Sequence, residues 1–118
     1  MIKGIGTDIV EIERIKEAVK DLGERFLSRI YTQKERAYCE RRGKLKFPEL
    51  AVRFAAKEAY AKALGTGMRG IHWRDIEVVN NKEGKPHIAR NGKILPKVHL
   101  SLSHSRDSAH AVVIIEGG

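Results

Sequence analysis

Cysteine is almost absent from this chain: Cys39 is the only one in 118 residues. A single thiol excludes an intramolecular disulfide and fits the reducing cytosol. No Cys/His spacing matches a zinc motif, so zinc is not expected. Long apolar runs are absent as well. No segment approaches the ~18 apolar residues of a membrane-spanning helix, and the N-terminus lacks the apolar core of a signal peptide. We therefore expect a cytoplasmic protein without a membrane partner.

Aromatic residues are also scarce, with one tryptophan, three tyrosines and three phenylalanines. Basic residues nevertheless exceed acidic ones and give a formal net charge of +8. Such a charge implies an acidic partner, which can be a nucleic acid, an anionic membrane, a polyphosphate ligand or an acidic protein. A small nucleic-acid-binding domain is thus one alternative. It finds little support beyond the charge, because the chain has few aromatic residues and no RRM, KH or zinc-finger pattern. A serine-hydrolase elbow is absent too.

The length predicts one domain spanning residues 1–118. Hydrophobic residues recur with a helical period in the first half of the chain and alternate as in strands in the second half. These patterns predict a strand at 2–8, helices at 12–22, 24–31, 32–43 and 48–64, and strands at 75–80, 86–90, 98–103 and 109–116. Residues 43–47 are basic, and we expect them to be mobile. The predicted class is α+β, with an N-terminal strand, helices including one long central helix, and a C-terminal antiparallel sheet.

Local signals delimit the predicted helices. Thr32 and Glu35 have the spacing of a capping box, which begins a helix. Gly23 and Gly65 are expected to cap helix C-termini. One continuous apolar face of the central helix carries Val52, Ala55, Ala56, Ala59, Tyr60 and Ala63. The opposite face is mixed, so the helix is apolar on most sides and is expected at the centre of the domain.

Two carboxylates stand in apolar surroundings, fifty residues apart. Asp8 ends a short apolar segment, and Glu58 lies in the alanine-rich helix. Taken alone, each has a simpler explanation: Asp8 can cap the following helix, and Glu58 can pair with Lys62 four residues later. A carboxylate on a mostly apolar helix costs free energy unless a partner compensates it. Together with nearby lysines and glycines, the two carboxylates suggest a divalent cation and a phosphate-bearing ligand.

Two further segments are candidates for ligand binding. Residues 65–70 read GTGMRG and follow a helix, so a helix cap and turn is the simpler interpretation, although glycines also let a ligand approach the backbone. His104 and Ser105 end a strand that alternates His99, Ser101 and Ser103 with apolar residues. This group of hydrogen-bonding side chains suits a phosphate or a ribose.

Four motifs occur together and in order: GIGTDIVEI at 4–12, RFAAKEA at 53–59, KALGTG at 62–67 and SLSHS at 101–105. They resemble the motifs of the holo-acyl-carrier-protein synthases, the short, trimeric type of 4′-phosphopantetheinyl transferase. The resemblance spans the whole chain without a long insertion. Residue 105 is often threonine in that family, and Ser105 keeps the hydroxyl.

The resemblance implies an activity and a set of site residues. Members of the family transfer the phosphopantetheine arm of coenzyme A to a serine of apo acyl carrier protein in fatty acid biosynthesis, with Mg²⁺, and release 3′,5′-ADP. It implies that Asp8 and Glu58 bind the metal and that Lys62 joins them in catalysis, leaving open which carboxylate activates a water as the general base. The coenzyme A site it implies comprises Arg53, Lys62, Gly65, His104, Ser105, Lys44 and Lys46.

The resemblance also bears on the partners. Acyl carrier protein is acidic, and coenzyme A carries several phosphate charges, which explains the net charge of +8. We expect the carrier to dock on a basic surface carrying Arg14, Lys16, Lys20 and Arg25, although Glu13, Glu17 and Asp21 interrupt it. A homotrimer with active sites shared between subunits is likewise implied by the resemblance.

Overall fold

A long helix packed on a three-stranded antiparallel sheet forms the centre of the computed structural model, which describes residues 1–117. The elements are β1 (Ile2–Glu11), α1 (Ile12–Leu22), α2 (Glu24–Ile30), α3 (Gln33–Tyr38), β2 (Glu40–Arg41), β3 (Lys44–Leu45), α4 (Phe47–Leu64), a 3₁₀ turn (Trp73–Asp75), β4 (Ile76–Asn80), β5 (Pro86–Arg90), β6 (Lys93–Ile94), β7 (Val98–His104) and β8 (Ser108–Glu116). The α+β class is confirmed. The predicted domain extends to Gly118, which lies outside the described residues.

The helices begin and end largely where the local signals place them. The Thr32 hydroxyl accepts from the Glu35 amide and the Glu35 carboxylate accepts from the Thr32 amide, which confirms the capping box. Gly65 ends α4 in the left-handed conformation, with φ of 84°. The third helix, however, stops at Tyr38 instead of near Gly43. Residues 40–45 form a short β2–β3 hairpin and α4 begins at Phe47, so 43–47 lie within or beside regular structure, and their mobility stays a prediction.

The strands form two antiparallel sheets and a small hairpin. The first sheet has the order β1-β8-β7, so the N-terminal strand pairs with the last strand of the chain. Its register aligns Asp8 with Ala111 and His104 with Ala109. The second sheet has the order β4-β5-β6. Its β5–β6 turn contains Asn91 and Gly92, both with positive φ, as a tight hairpin turn of this kind requires.

Two glycines let α4 lie unusually close to β1. A Cβ atom added to Gly6 would lie 2.0 Å from the carbonyl oxygen of Ala59, and one added to Gly4 would lie 2.1 Å from that of Ala63. Because a glycine has no side chain, the strand backbone touches the helix directly at these positions. The predicted apolar face of α4 is buried, including Ala55 and Ala59 at 0% exposure.

A buried ion pair ties α4 to the other helices. Lys57 and Glu35 are both almost fully buried, and Lys57 Nζ lies 2.7 Å from Glu35 Oε1. The ammonium also donates to the carbonyl oxygens of Ile30 and Trp73, and Glu35 accepts from the Val78 amide. Burial lowers the pKa of Lys57, and Glu35 opposes that change. Lys57 and Glu35 are 22 residues apart, and nothing in the local pattern around either one indicates this pair.

The face of the first sheet that points away from α4 is exposed and partly apolar. Neighbouring residues of a strand point to opposite faces, so Ile5 and Ile9 point away from the helix while Gly6 and Val10 point towards it. Ile5 is 65% exposed and Ile9 is 60% exposed, and Val112 on the neighbouring strand is exposed too. Within residues 1–117, no helix has the length and apolar character needed to cross a membrane.

Candidate active site

Asp8 lies inside β1 on the face that packs against α4. The strand continues to Glu11, which precedes α1 without a side-chain cap bond, so the interpretation of Asp8 as a helix cap is wrong. The Asp8 side chain is 16% exposed, and its Oδ1 accepts a hydrogen bond of 2.9 Å from Lys62 Nζ. The same ammonium donates to the carbonyl oxygen of Thr7 at 3.0 Å. The ion pair recorded for Lys62 among the described residues is therefore with Asp8 and not with Glu58.

Glu58 lies one turn before Lys62 on α4, close enough to Asp8 for the two charges to interact. Burial raises the pKa of Glu58, and the negative charge of Asp8 raises it further, while Lys62 lowers it. Two carboxylates that repel each other in a partly buried setting are stabilised by a cation between or beside them. The structure thus brings Asp8, Glu58 and Lys62 together at the contact between β1 and α4.

The group formed by Asp8, Glu58 and Lys62 suits magnesium better than a metal ion that takes all of its ligands from protein side chains. Among residues 1–117, no cluster of three or more His, Cys, Asp or Glu side chains is arranged to hold a metal. Magnesium usually takes one or two carboxylates and completes its shell with water and substrate phosphates. Asp8 and Glu58 supply those carboxylates, so the residues present fit the ion that the resemblance implies.

An aromatic wall adjoins the carboxylates. The half-buried ring of Phe54, one turn before Glu58, stacks on Trp73 with 4.9 Å between ring centroids. Phe26 also stacks on Phe54, with 6.4 Å between ring centroids. Trp73 is far from both partners in sequence, and nothing in its local pattern indicates this contact. The wall explains the partly apolar surroundings expected for Glu58.

A second group of predicted site residues lines an open cleft of about 470 Å³ between α4, the β4–β5 turn and the end of β7. Arg53 and His104 both lie on it. Arg53 is 1% exposed and donates to Glu49 Oε1 at 2.9 Å and Asn80 Oδ1 at 2.8 Å. Its guanidinium lies over the ring of Tyr38, 4.2 Å from the centroid. These contacts hold a cationic group in place beside the cleft.

Several lining residues of this cleft were missed by the sequence analysis. Tyr38, Asn80 and the segment 84–86 (Gly, Lys, Pro) line the cleft with Arg53. The strands predicted at 75–80 and 86–90 leave Asn80 and 84–86 at strand ends and in the connection between strands, as the structure does, but no site was predicted there. The available signal was a lysine between a glycine and a proline in a tight turn, which is too common a pattern to indicate a ligand.

The remaining predicted ligand-binding residues are dispersed. Gly65 ends α4, close in sequence to Lys62, and Ser105 is exposed in the β7–β8 turn, where its hydroxyl accepts from the Ser108 amide at 3.3 Å. Lys44 is exposed on β3, and Lys46 Nζ lies 5.2 Å from the centroid of the Tyr38 ring, at the cleft. None of Asp8, Glu58 and Lys62 lines the cleft. One chain therefore presents two separate groups of predicted site residues.

The predicted docking residues do not share one helix face. Arg14, Lys20 and Arg25 are all exposed, but at 100° per residue Arg14 and Lys20 point about 120° apart around α1. Arg25 instead lies at a groove of about 560 Å³ along α2. Its other lining residues include Leu22, Phe26, Arg29 and Trp73. The structure thus places Arg25 beside residues of the aromatic wall.

Comparison with known proteins decides the family. The family model described as the 4′-phosphopantetheinyl transferase superfamily matches residues 4–114. This chain belongs to that superfamily. A holo-[acyl-carrier-protein] synthase of Geobacillus sp. (strain WCH70) is 50% identical over 118 residues, covering 98% of each chain. The phosphopantetheinyl transferase class that the motifs predict is confirmed.

Solved structures agree with that membership. The holo-(acyl-carrier-protein) synthase of Bacillus anthracis, crystallised in complex with CoA (3′,5′-ADP), is 41% identical, with a TM-score of 0.85 covering 100% of this chain and 99% of that one. The holo-[acyl-carrier-protein] synthase of Neisseria meningitidis is 39% identical, with a TM-score of 0.86 covering 99% of this chain and all of that one. A likeness of this extent applies to the complete fold and not to one motif.

Proposed function

We propose that this transferase moves the 4′-phosphopantetheine group of coenzyme A to a serine of apo acyl carrier protein in a Mg²⁺-dependent reaction that supports fatty acid biosynthesis. The observation that carries the proposal is the meeting of Asp8, Glu58 and Lys62 where β1 contacts α4, in a chain of this superfamily. The similarity to an enzyme crystallised with CoA (3′,5′-ADP) supports the same donor here.

The reaction is a displacement at the β-phosphorus of the diphosphate. The serine oxygen forms a bond to this phosphorus, the bond to the bridging diphosphate oxygen breaks, 3′,5′-ADP leaves with that oxygen, and the serine proton passes to a base. Catalysis of such a transfer is mostly positioning and charge stabilisation. A magnesium ion, when bound, neutralises charge on the diphosphate oxygens. Asp8 and Glu58 would hold it, and the Lys62 ammonium would stabilise negative charge on the leaving phosphate.

The nucleotide end of coenzyme A fits the second group of residues. The cleft beside Arg53 and His104 is lined by Lys85 as well, and Lys46 lies at its edge, so three cationic groups face one carboxylate, Glu49, which is paired with Arg53. A bound 3′-phosphate would be attracted by these charges. Arg53 itself is held by Glu49 and Asn80, which makes it a support for the cleft wall as well as a source of charge. Ser105 and Lys44 belong to the same proposed nucleotide site, which Gly65, next to Lys62 at the end of α4, would join across a subunit interface.

A homotrimer would unite the two groups. Arg53 and Glu58 lie on one helix but point about 140° apart, so a single α4 presents them in different directions. An interface between copies can place the cleft of one subunit against the carboxylates of the next. The exposed Ile5, Ile9 and Val112 provide an apolar surface for self-association, because contiguous apolar surface of this kind marks interaction sites.

The carrier protein is the proposed acidic partner. The groove beside Arg25 combines the exposed guanidinium groups of Arg25 and Arg29 with the apolar surface of Leu22 and Trp73, the mixture of an interface with charged rim and apolar centre. We extend the docking surface from Arg14 and Lys20 to this groove. Reversing Arg25 to glutamate should raise the Michaelis constant for the carrier and leave that for coenzyme A nearly unchanged, and an equal effect on both constants would contradict the assignment.

The test of the function is incubation with apo acyl carrier protein, coenzyme A and Mg²⁺, followed by intact-mass measurement of the carrier. We expect the mass of one phosphopantetheine group to be added, and little addition with Asp8→Asn or Glu58→Gln, whose folds are checked by circular dichroism. Glu40→Gln, which neutralises an exposed carboxylate on β2 outside both groups of site residues, is the matched control and should stay active. Binding of DNA or RNA without carrier modification would instead favour the nucleic-acid alternative.

A cytoplasmic location is part of the same proposal, because both proposed substrates are used there.

A further inference from the structure

Lys62 makes a contact that the proposed reaction does not use. Its ammonium donates to Asp8 Oδ1 at 2.9 Å and to the carbonyl oxygen of Thr7 at 3.0 Å. Both acceptors are oxygens, the atom type that magnesium also takes as ligands. The proposed reaction needs this ammonium at the diphosphate, and it needs Asp8 at the metal. The contact between the two residues therefore occupies both groups at once.

We infer that Lys62 is a placeholder cation for Asp8: it holds the carboxylate in the free protein and gives it up when a divalent cation binds. The released ammonium is then available to an anionic ligand. The inference rests on the proposed function, since that function supplies both the divalent cation and the diphosphate.

The electrostatics explain why a placeholder is needed. Asp8 and Glu58 are close enough for the charge of one to affect the other, and both are partly removed from water. Like charges in such a setting repel, and without a nearby cation the pair would favour a different side-chain arrangement. Lys62 interacts favourably with both carboxylates. It thus keeps the carboxylate pair assembled before the metal arrives.

The exposures indicate which group moves. The Lys62 side chain is 51% exposed and the Asp8 side chain only 16%. A lysine has a flexible stem and a strongly hydrated ammonium, so it can turn into solvent at little cost. Asp8 belongs to a strand that pairs with β8, and on the same face it is flanked by Gly6, which touches α4, and by Val10, which is buried in the core. The lysine therefore leaves and the carboxylate stays.

A placeholder makes a quantitative statement about metal affinity. A ligand that must displace an internal contact binds only to those molecules in which the contact is open, so its apparent affinity is reduced in proportion to their fraction. Ion pairs as exposed as this one are weak, so their loss changes such an equilibrium by roughly two- to fivefold. Removing Lys62 should therefore tighten divalent-cation binding by about that factor. If Lys62 instead pre-orders Asp8 for the metal, its removal should weaken binding.

The experiment uses the full chain without coenzyme A and Mn²⁺ as the probe, followed by electron paramagnetic resonance, with Mg²⁺ as competitor. We compare wild type, Lys62→Met, Asp8→Asn and the control Arg69→Met. Arg69 is another exposed basic residue shortly after α4, and it serves as a control because the ion-pair partner of Asp8 is Lys62. The inference predicts tighter Mn²⁺ binding in Lys62→Met and a much smaller change in Arg69→Met, since its charge acts only through screened solvent.

Other outcomes overturn the inference in distinguishable ways. Unchanged or weaker binding in Lys62→Met, or an equal gain in Arg69→Met, removes the placeholder role while leaving the metal assignment intact. Equal affinity in wild type and Asp8→Asn removes the metal assignment and the placeholder together. In wild type, the hydrogen-bonded Lys62 ammonium signal in ¹⁵N nuclear magnetic resonance should be lost to water exchange on Mg²⁺ saturation. A signal that persists contradicts the exchange.

Discussion

Replacing Gly6 with alanine tests whether the approach of β1 to α4 builds the site. The new Cβ would lie 2.0 Å from the Ala59 carbonyl oxygen, whereas real Cβ atoms essentially never come closer than 3.0 Å. The strand and helix must therefore separate by about 1 Å, and the neighbour is backbone that cannot rotate away. Overpacking of this kind costs about 1–3 kcal/mol. For a domain of this size, we expect the melting temperature to fall by roughly 4–15 °C.

The activity should fall by more than the loss of stability explains. Asp8 follows Gly6 on the same face of β1, so the separation also moves Asp8 from its 2.9 Å contact with Lys62 on α4. A misplacement of 1 Å near a reacting centre can cost about a hundredfold in rate. The assay is carrier modification at a temperature where the variant is folded by circular dichroism, with calorimetry for the melting temperature.

Gly117→Ala is the matched control for this experiment. Gly117 follows β8 and is not one of the proposed site residues, and the atoms nearest to an added Cβ would belong to the flexible Lys3 side chain, 3.2 Å away at the closest. We expect nearly wild-type stability and activity. The reasoning is refuted if Gly6→Ala melts within 1–2 °C of wild type and keeps its rate, because the two backbones would then not be in contact as described.

Three further predictions concern charge and assembly. Glu58→Gln should raise the melting temperature at pH 7 in metal-free buffer, because the pKa of Glu58 is raised in the folded protein and its ionisation above about pH 4.5 therefore destabilises the fold. Below that pH the melting temperatures of wild type and variant should converge, and a pH series in which they do not converge contradicts the raised pKa. Lys57→Met should cost about 3–5 kcal/mol in urea unfolding because it leaves the Glu35 charge buried without its partner. Adding Glu35→Gln, which removes that charge and keeps an acceptor oxygen for the backbone amides, should recover part of the loss, and no recovery would contradict the ion-pair account. Ile9→Asp should dissociate the proposed trimer in sedimentation velocity, since it places a charge on the exposed apolar face, and an unchanged wild-type trimer would place the interface elsewhere.

Much of the fold could be predicted because its signals are local. The capping box at Thr32 and the left-handed Gly65 depend on backbone geometry within a few residues. The alternation of β7 and the alanine face of α4 follow from the periods of strand and helix. The third helix was predicted too long because charged residues continue past Tyr38 with good helix propensity. A hairpin between Glu40 and Leu45 competes with that propensity and wins.

The site could be predicted only in part. The motifs select Asp8, Glu58 and Lys62, and the structure brings these residues together. The local interpretations were less successful. The distance of Asp8 from the first helix suited a capping role, yet β1 extends past Asp8. Lys62 was expected to pair with Glu58 on its own helix, and it pairs with Asp8 on β1 instead. A contact between residues 54 positions apart leaves no trace in either local pattern.

By itself, the amino-acid sequence determined the α+β class, the order of the longer elements, the long central helix and the superfamily, because these depend on periodicity, caps and short motifs that each segment carries alone. Only the tertiary structure decided that Gly6 lets β1 touch α4 and that Lys57 is buried against Glu35. It also decided that the Arg53–His104 cleft lies apart from the carboxylates. The physical reason is that burial, close approach and charge pairing are properties of two segments together. They arise only when packing removes both segments from water.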